Sequence, residues 1–137
     1  MTKDKATLNH ARHNEEACKE LLKSGEFNDW VITTAYYAAI YYVSHELFPG
    51  QYDISGKPSH CQNFHDFYAK FPHPKDSKHS VREDLVRDAM PEIYTSFSTL
   101  REMCTTARYK TYKISKQEVE LAMECLDEIK LLCDAEV

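Results

Sequence analysis

The run Arg108-Tyr109-Lys110-Thr111-Tyr112-Lys113-Ile114-Ser115-Lys116 alternates cations with aromatic rings. Guanidinium and ammonium groups can grip phosphate oxygens, and phenol rings between them offer faces on which bases stack. A helix opening within the segment could add backbone amides pointing at an anion. Arg108, Tyr109, Tyr112, Lys113 and Lys116 are therefore candidate contacts for nucleic acid or another anion. The competing reading is a solvated connection whose cations balance an acidic surface and whose tyrosines cover the end of the fold.

Metal chemistry has weaker support. Cys61 and His65 stand at i and i+4, and His10 and His13 at i and i+3, but the inward Glu-x-x-His step of di-iron bundles does not occur. No metal and no cofactor are expected. His60 reads as a polar contact or loop anchor just inside a helix start, while His73 and His79 fall in a polar link and are expected to be solvated. Cys18, Cys61, Cys104, Cys125 and Cys133 are scattered without a CxxC pair. They read as reduced packing residues.

The elements that must position these groups follow from periodicity. Residues 27–48, FNDWVITTAYYAAIYYVSHELF, carry two apolar stripes at helical spacing, one through Phe27, Trp30 and Val31 and one through Ile32, Tyr36 and Ala39. Two stripes imply a central helix covered on most sides, with only Asp29, Thr33, Tyr37 and Ser44 able to face water or a partner. A first helix from about residue 6 to Ser24 should bury Leu8, Ala11, Cys18, Leu21 and Leu22 and leave Glu15, Glu16 and Lys19 outside. Gly25 ends it and the two helices form an antiparallel hairpin.

Residues 49–59, PGQYDISGKPS, read as the main loop. Capping boxes at Ser59-Gln62, Ser80-Glu83 and Ser115-Glu118 announce a short third helix, a long fourth and a last one. Pro91 should kink the fourth helix or break it in two.

With 137 residues, 3 glycines and 5 prolines, the chain fits a single domain over residues 1–137 and leans to all-α. The net charge of −5 argues against a generally basic surface that coats nucleic acid, and a local patch remains compatible with it. The polar N-terminus has no apolar leader, and the longest apolar run, residues 35–43, is too short to span a bilayer. A soluble, cytoplasmic protein without a membrane partner is the expectation.

Taken together, LLKSGEFNDW closing the first helix, AYYAAIYYVSHELF in the second, Ser59-His60 opening the third and LREMCTTARYKTYKIS before the last resemble the HEPN family. The resemblance covers nearly the whole chain and implies an antiparallel four-helix bundle with an additional short helix. Many HEPN domains are ribonucleases that place a histidine four to six residues after an arginine. None of the arginines from Arg12 to Arg108 has such a histidine. Aligning residues 100–109 with the family's segment matches Ala107 and Tyr109, puts Cys104 at the family's arginine and Arg108 at its aspartate.

Such a site needs a guanidinium to hold phosphate and an imidazole to move a proton. Lys113 stands five residues after Arg108, and its ammonium can hold phosphate but is a poor base near pH 7. The chain thus reads as a non-catalytic binding domain for RNA, nucleotide or a partner protein. The alternatives are a divergent, metal-independent ribonuclease using Arg108, Lys113 and His60, or a dimeric structural adaptor. The resemblance also adds His60 to the anion-site candidates, and it implies a partner such as a minimal nucleotidyltransferase of a toxin-antitoxin pair. Because HEPN-like domains generally pair, and four central tyrosines exceed what a small core hides, a homodimer through Tyr37, Tyr41 and Tyr42 is expected.

Overall fold

A computed structural model describes residues 3, 5–72 and 76–134. The described residues are predominantly helical, with six α-helices and one two-stranded sheet. In chain order they are α1 (Lys5–Ser24), α2 (Asn28–Leu47), β1 (Gly50–Ile54), β2 (Lys57–Cys61), α3 (Phe64–Lys70), α4 (Lys78–Ala89), α5 (Tyr94–Tyr109) and α6 (Lys116–Cys133). α2 packs against α1, α5 and α6, and α5 packs against α6. The buried apolar residues form one cluster around α2.

Gly25 takes the left-handed conformation, φ +70°, that ends α1 and turns the chain into α2 after three residues. So short a link lays α1 and α2 side by side. Val31, Ile32, Ala35, Tyr36, Ala38, Ala39, Ile40, Tyr42 and Val43 of α2 are buried, as two apolar stripes require. The small residues let neighbouring helices approach closely, and α6 answers with buried Val119, Ala122, Leu126, Ile129 and Cys133. Its capping box is present as read: Ser115 accepts from the Glu118 amide and Glu118 accepts from that of Ser115. All five cysteines are buried free thiols.

Several expectations fail for identifiable reasons. Trp30 and Phe27 do not join the core; they are 52% and 46% exposed, because they sit in and just before the first turn of α2, beyond the helices that cover its middle. Leu22 is exposed as well, and Thr33 is buried. Glu15 is 4% exposed rather than outward-facing, since the Tyr42 hydroxyl donates to it at 2.6 Å and Lys130 lies 3.2 Å away. Tyr42, fully buried over that carboxylate, has no ring face to offer a second copy of the chain.

The expected loop at residues 49–59 is largely a β-hairpin. Its strands pair antiparallel from Gly50 opposite Cys61 to Ile54 opposite Lys57. Ser55 and Gly56 form the two-residue turn at φ +54° and +79°, the double positive-φ geometry whose twist matches paired strands. Ser59 is therefore in a strand and cannot cap a helix. α3 opens instead at Asn63, whose side chain accepts from the Asp66 amide at 2.9 Å. α4 is likewise capped by Ser77, accepting from the Ser80 amide at 3.1 Å, and not by Ser80.

The long fourth helix is broken, not kinked. α4 stops at Ala89, Met90 leaves helical geometry, and Pro91 opens a 3-10 turn over Pro91–Ile93 before α5 begins. Proline has no amide to bond back into α4, and its fixed φ suits the first position of the new turn.

Candidate nucleic-acid interface

Where α5 ends, the Lys110 and Thr111 amides both bond to the Thr106 carbonyl, closing the helix and turning the chain outward. The Asn28 side chain then holds the Ile114 carbonyl at 2.9 Å, tying this connection to the first turn of α2. Between the two helices lies an open cleft of about 480 Å³ lined by Asp29, Trp30 and Thr33 of α2 and by residues 107–112. Tyr109 and Tyr112 are 75% and 70% exposed, so with Trp30 three large rings meet water around one cavity.

Arg108 supplies the charge. Its Nη1 donates to the Tyr37 hydroxyl at 2.7 Å, and its guanidinium carbon lies 5.6 Å from the Tyr109 ring centre. Lys110 also lines the cleft, and Asp29 places one carboxylate opposite these cations. Arg108, Tyr109 and Tyr112 are thus brought together as the sequence suggested. Lys113 and Lys116 are exposed but do not line the cavity. The start of α6 is answered from within, because the Glu118 carboxylate already accepts from the Ser115 amide where an incoming anion would sit.

His60 is not part of this arrangement. It lies on β2, exposed, with Nε2 3.2 Å from the Gln62 side chain and its carbonyl bonded by Lys70. Among the described residues His79 is the histidine that comes close, contrary to the solvated role read for it, and His73 lies outside the described residues. It sits in the first turn of α4, half-buried, with Nδ1 3.0 Å from the Tyr36 hydroxyl. Tyr36, Tyr37, His79, Arg101, Thr105, Arg108 and Tyr109 line a second, smaller recess of about 100 Å³ that shares Arg108 and Tyr109 with the cleft.

Burial pulls the imidazole of His79 below its ordinary pKa, and the positive charges of Arg82, Arg101 and Arg108 push the same way. The ring is neutral at physiological pH. Burial also pushes the Tyr36 phenol up to about 12, so that hydroxyl stays protonated. Arg101 is ion-paired with Glu83, and Arg82 stacks its guanidinium 4.3 Å over the Phe64 ring.

Spacing could not reveal His79 or Trp30, which join Arg108 from 29 and 78 positions away in the chain. The one available signal was the polar strip Asp29, Thr33 and Tyr37 on α2. Asp29 and Thr33 line the cleft and Tyr37 the recess.

Tyr41 and Tyr37 are half-buried, the former stacked on His10 at 3.8 Å between ring centres. Among the described residues no group of three or more His, Cys, Asp or Glu could hold a metal ion, and no helix is long and apolar enough to cross a membrane. Compared with protein-family models, curated proteins and solved structures, the chain matches none.

Proposed function

We propose that the protein is a non-catalytic, HEPN-like helical domain that works by binding, and that single-stranded RNA or a nucleotide is its ligand. One observation supports this most: Trp30, Tyr109 and Tyr112 expose their rings around the cleft that Arg108 and Lys110 charge. Bases stack on exposed aromatic faces with little regard to sequence, while cations hold the backbone between them. The helical order and the tyrosine-rich α2 agree with the resemblance.

Fluorescence anisotropy of a labelled single-stranded oligoribonucleotide, competed with mononucleotide, tests the reading. Arg108→Ala should weaken binding about tenfold, the size of one lost charge-assisted hydrogen bond. Unchanged binding in Arg108→Ala and Trp30→Ala would remove the cleft from consideration.

The proximity of His79 to Arg108 favours a second reading, a metal-independent ribonuclease in which His79 takes the part assigned to His60. In the tautomer whose Nδ1–H donates to the Tyr36 hydroxyl, the neutral imidazole leaves Nε2 bare to accept the proton of a ribose hydroxyl. Cleavage of labelled RNA by the purified protein, lost in His79→Ala, would establish it. No cleavage alongside tight binding would leave the binding domain.

Tyr37 and Tyr41 remain the proposed homodimer contacts, on half-buried rings that combine area with a polar tip. Sedimentation showing only monomer at micromolar concentration would contradict pairing. A nucleotidyltransferase partner, or an adaptor role, rests on the resemblance alone.

A further inference from the structure

Resting on that reading of the cleft, we infer that the recess between α2, α4 and α5 is a subsite for a terminal phosphomonoester of the bound nucleic acid. Arg101, Arg108, Thr105 and His79 are the groups that would hold it.

Charge comes first. The chain is acidic overall, yet Arg82, Arg101 and Arg108 all act on His79, and Glu83 is the carboxylate paired with Arg101. Of the three arginines, Arg101 and Arg108 line the recess, where both would attract an anion. A guanidinium carries five N–H donors. Arg108 gives one to Tyr37, and Arg101 gives donors to Glu83 and Ser80. Both therefore keep donors for a ligand.

Donor geometry comes next. The Arg82 guanidinium, which can only donate, lies 3.4 Å from Nδ1, so Nδ1 is the acceptor, for the Tyr36 hydroxyl as well, and the neutral imidazole carries its proton on Nε2. His79 is then a hydrogen-bond donor to phosphate without needing a charge. Thr105 adds a hydroxyl from α5, one turn before Arg108; this hydroxyl donates to the Arg101 carbonyl at 3.0 Å and would turn from it to a bound phosphate.

Size decides between the end and the middle of a strand. The recess is the smaller of the two joined spaces, about 100 Å³ against about 480 Å³ for the cleft, and so is the one suited to a phosphate group, with the larger left for a base. An internal phosphodiester needs an exit on both sides. A terminal phosphate needs one, and the shared residues Arg108 and Tyr109 open the recess onto the cleft where the first base would stack.

The test compares three single-stranded oligoribonucleotides of one sequence, with a 5′-phosphate, a 3′-phosphate or hydroxyls at both ends, bound to the intact protein. At least one phosphorylated strand should bind roughly tenfold or more tightly than the hydroxyl-ended strand, since hydrogen bonds to a charged group are stronger than neutral ones. Inorganic phosphate should compete that gain away at concentrations that weaken hydroxyl-ended binding, through the shared Arg108, by a smaller factor. His79→Gln and, separately, Thr105→Val should shrink the gain while hydroxyl-ended binding holds. Equal binding of all three strands overturns the subsite and leaves the cleft standing. Failure of all three to bind overturns the cleft and the subsite together.

Discussion

Arg108 and Tyr37 meet at 2.7 Å across 71 positions of sequence, joining the last turn of α5 to the middle of α2 at the point where the cleft and the recess share a wall. The phenol oxygen fixes one face of the guanidinium and leaves the others open to ligand. Tyr37→Phe keeps the ring and removes that anchor, so RNA binding should weaken by about threefold, less than the roughly tenfold of Arg108→Ala. Anisotropy titrations of both variants rank them. A Tyr37→Phe effect larger than that of Arg108→Ala would mean the phenol, not the guanidinium, contacts the ligand.

Glu15 should matter more to stability than to binding. Burial alone would raise its pKa; the Tyr42 hydroxyl and the Lys130 and Lys19 ammonium groups outweigh this and hold it below the ordinary value. Glu15→Ala leaves the buried Tyr42 hydroxyl without its acceptor and should cost about 1–3 kcal/mol. Tyr42→Phe should cost about 1 kcal/mol. Urea unfolding at neutral pH checks both, and a Glu15→Ala loss near zero would contradict the network.

The pH dependence has two windows. Both His79 and Glu15 are lowered on folding, so the unfolded chain holds more protons and stability falls as pH falls. For His79 the loss begins below its unfolded value of about 6.5, and for Glu15 below about 4.3. Melting curves from pH 7.5 to 4 should show the first decline reduced in His79→Gln. An unchanged decline would assign it to another histidine.

The hairpin turn yields a prediction of opposite signs at adjacent positions. Gly56 at φ +79° should resist alanine, with Gly56→Ala costing about 1–2 kcal/mol. Ser55 already bears a side chain at φ +54°, so Ser55→Gly should be neutral or slightly stabilising. Gly50→Ala should also destabilise, because its new carbon would sit 2.8 Å from the Leu47 carbonyl oxygen. Thermal melts of the three variants decide it.

What the sequence could say was governed by distance along the chain. α1, α2 and α6 were legible because apolar stripes and the Ser115 box are local signals. The hairpin was not: Pro58 and two glycines look like loop residues until strand pairing uses their neighbours' amides. Ser59 and Ser80 each offered a plausible cap, but Ser59 is committed to pairing with Tyr52, and Ser77 lies one turn ahead of Ser80. At the cleft, Arg108, Tyr109 and Tyr112 are neighbours in sequence, so their lying together was legible from spacing. Trp30 obeys the core spacing of α2 and escapes the core only because the other helices leave that end uncovered.

Trp30 is the chain's single tryptophan, so its emission reports the cleft and nothing else. Titrating the protein with single-stranded RNA while following that emission should give saturable quenching as a base stacks on the indole. The midpoint should shift to higher RNA concentration with added salt and in Arg108→Ala. RNA that binds by anisotropy while the Trp30 emission stays flat, or emission that never responds at any concentration, would contradict the account.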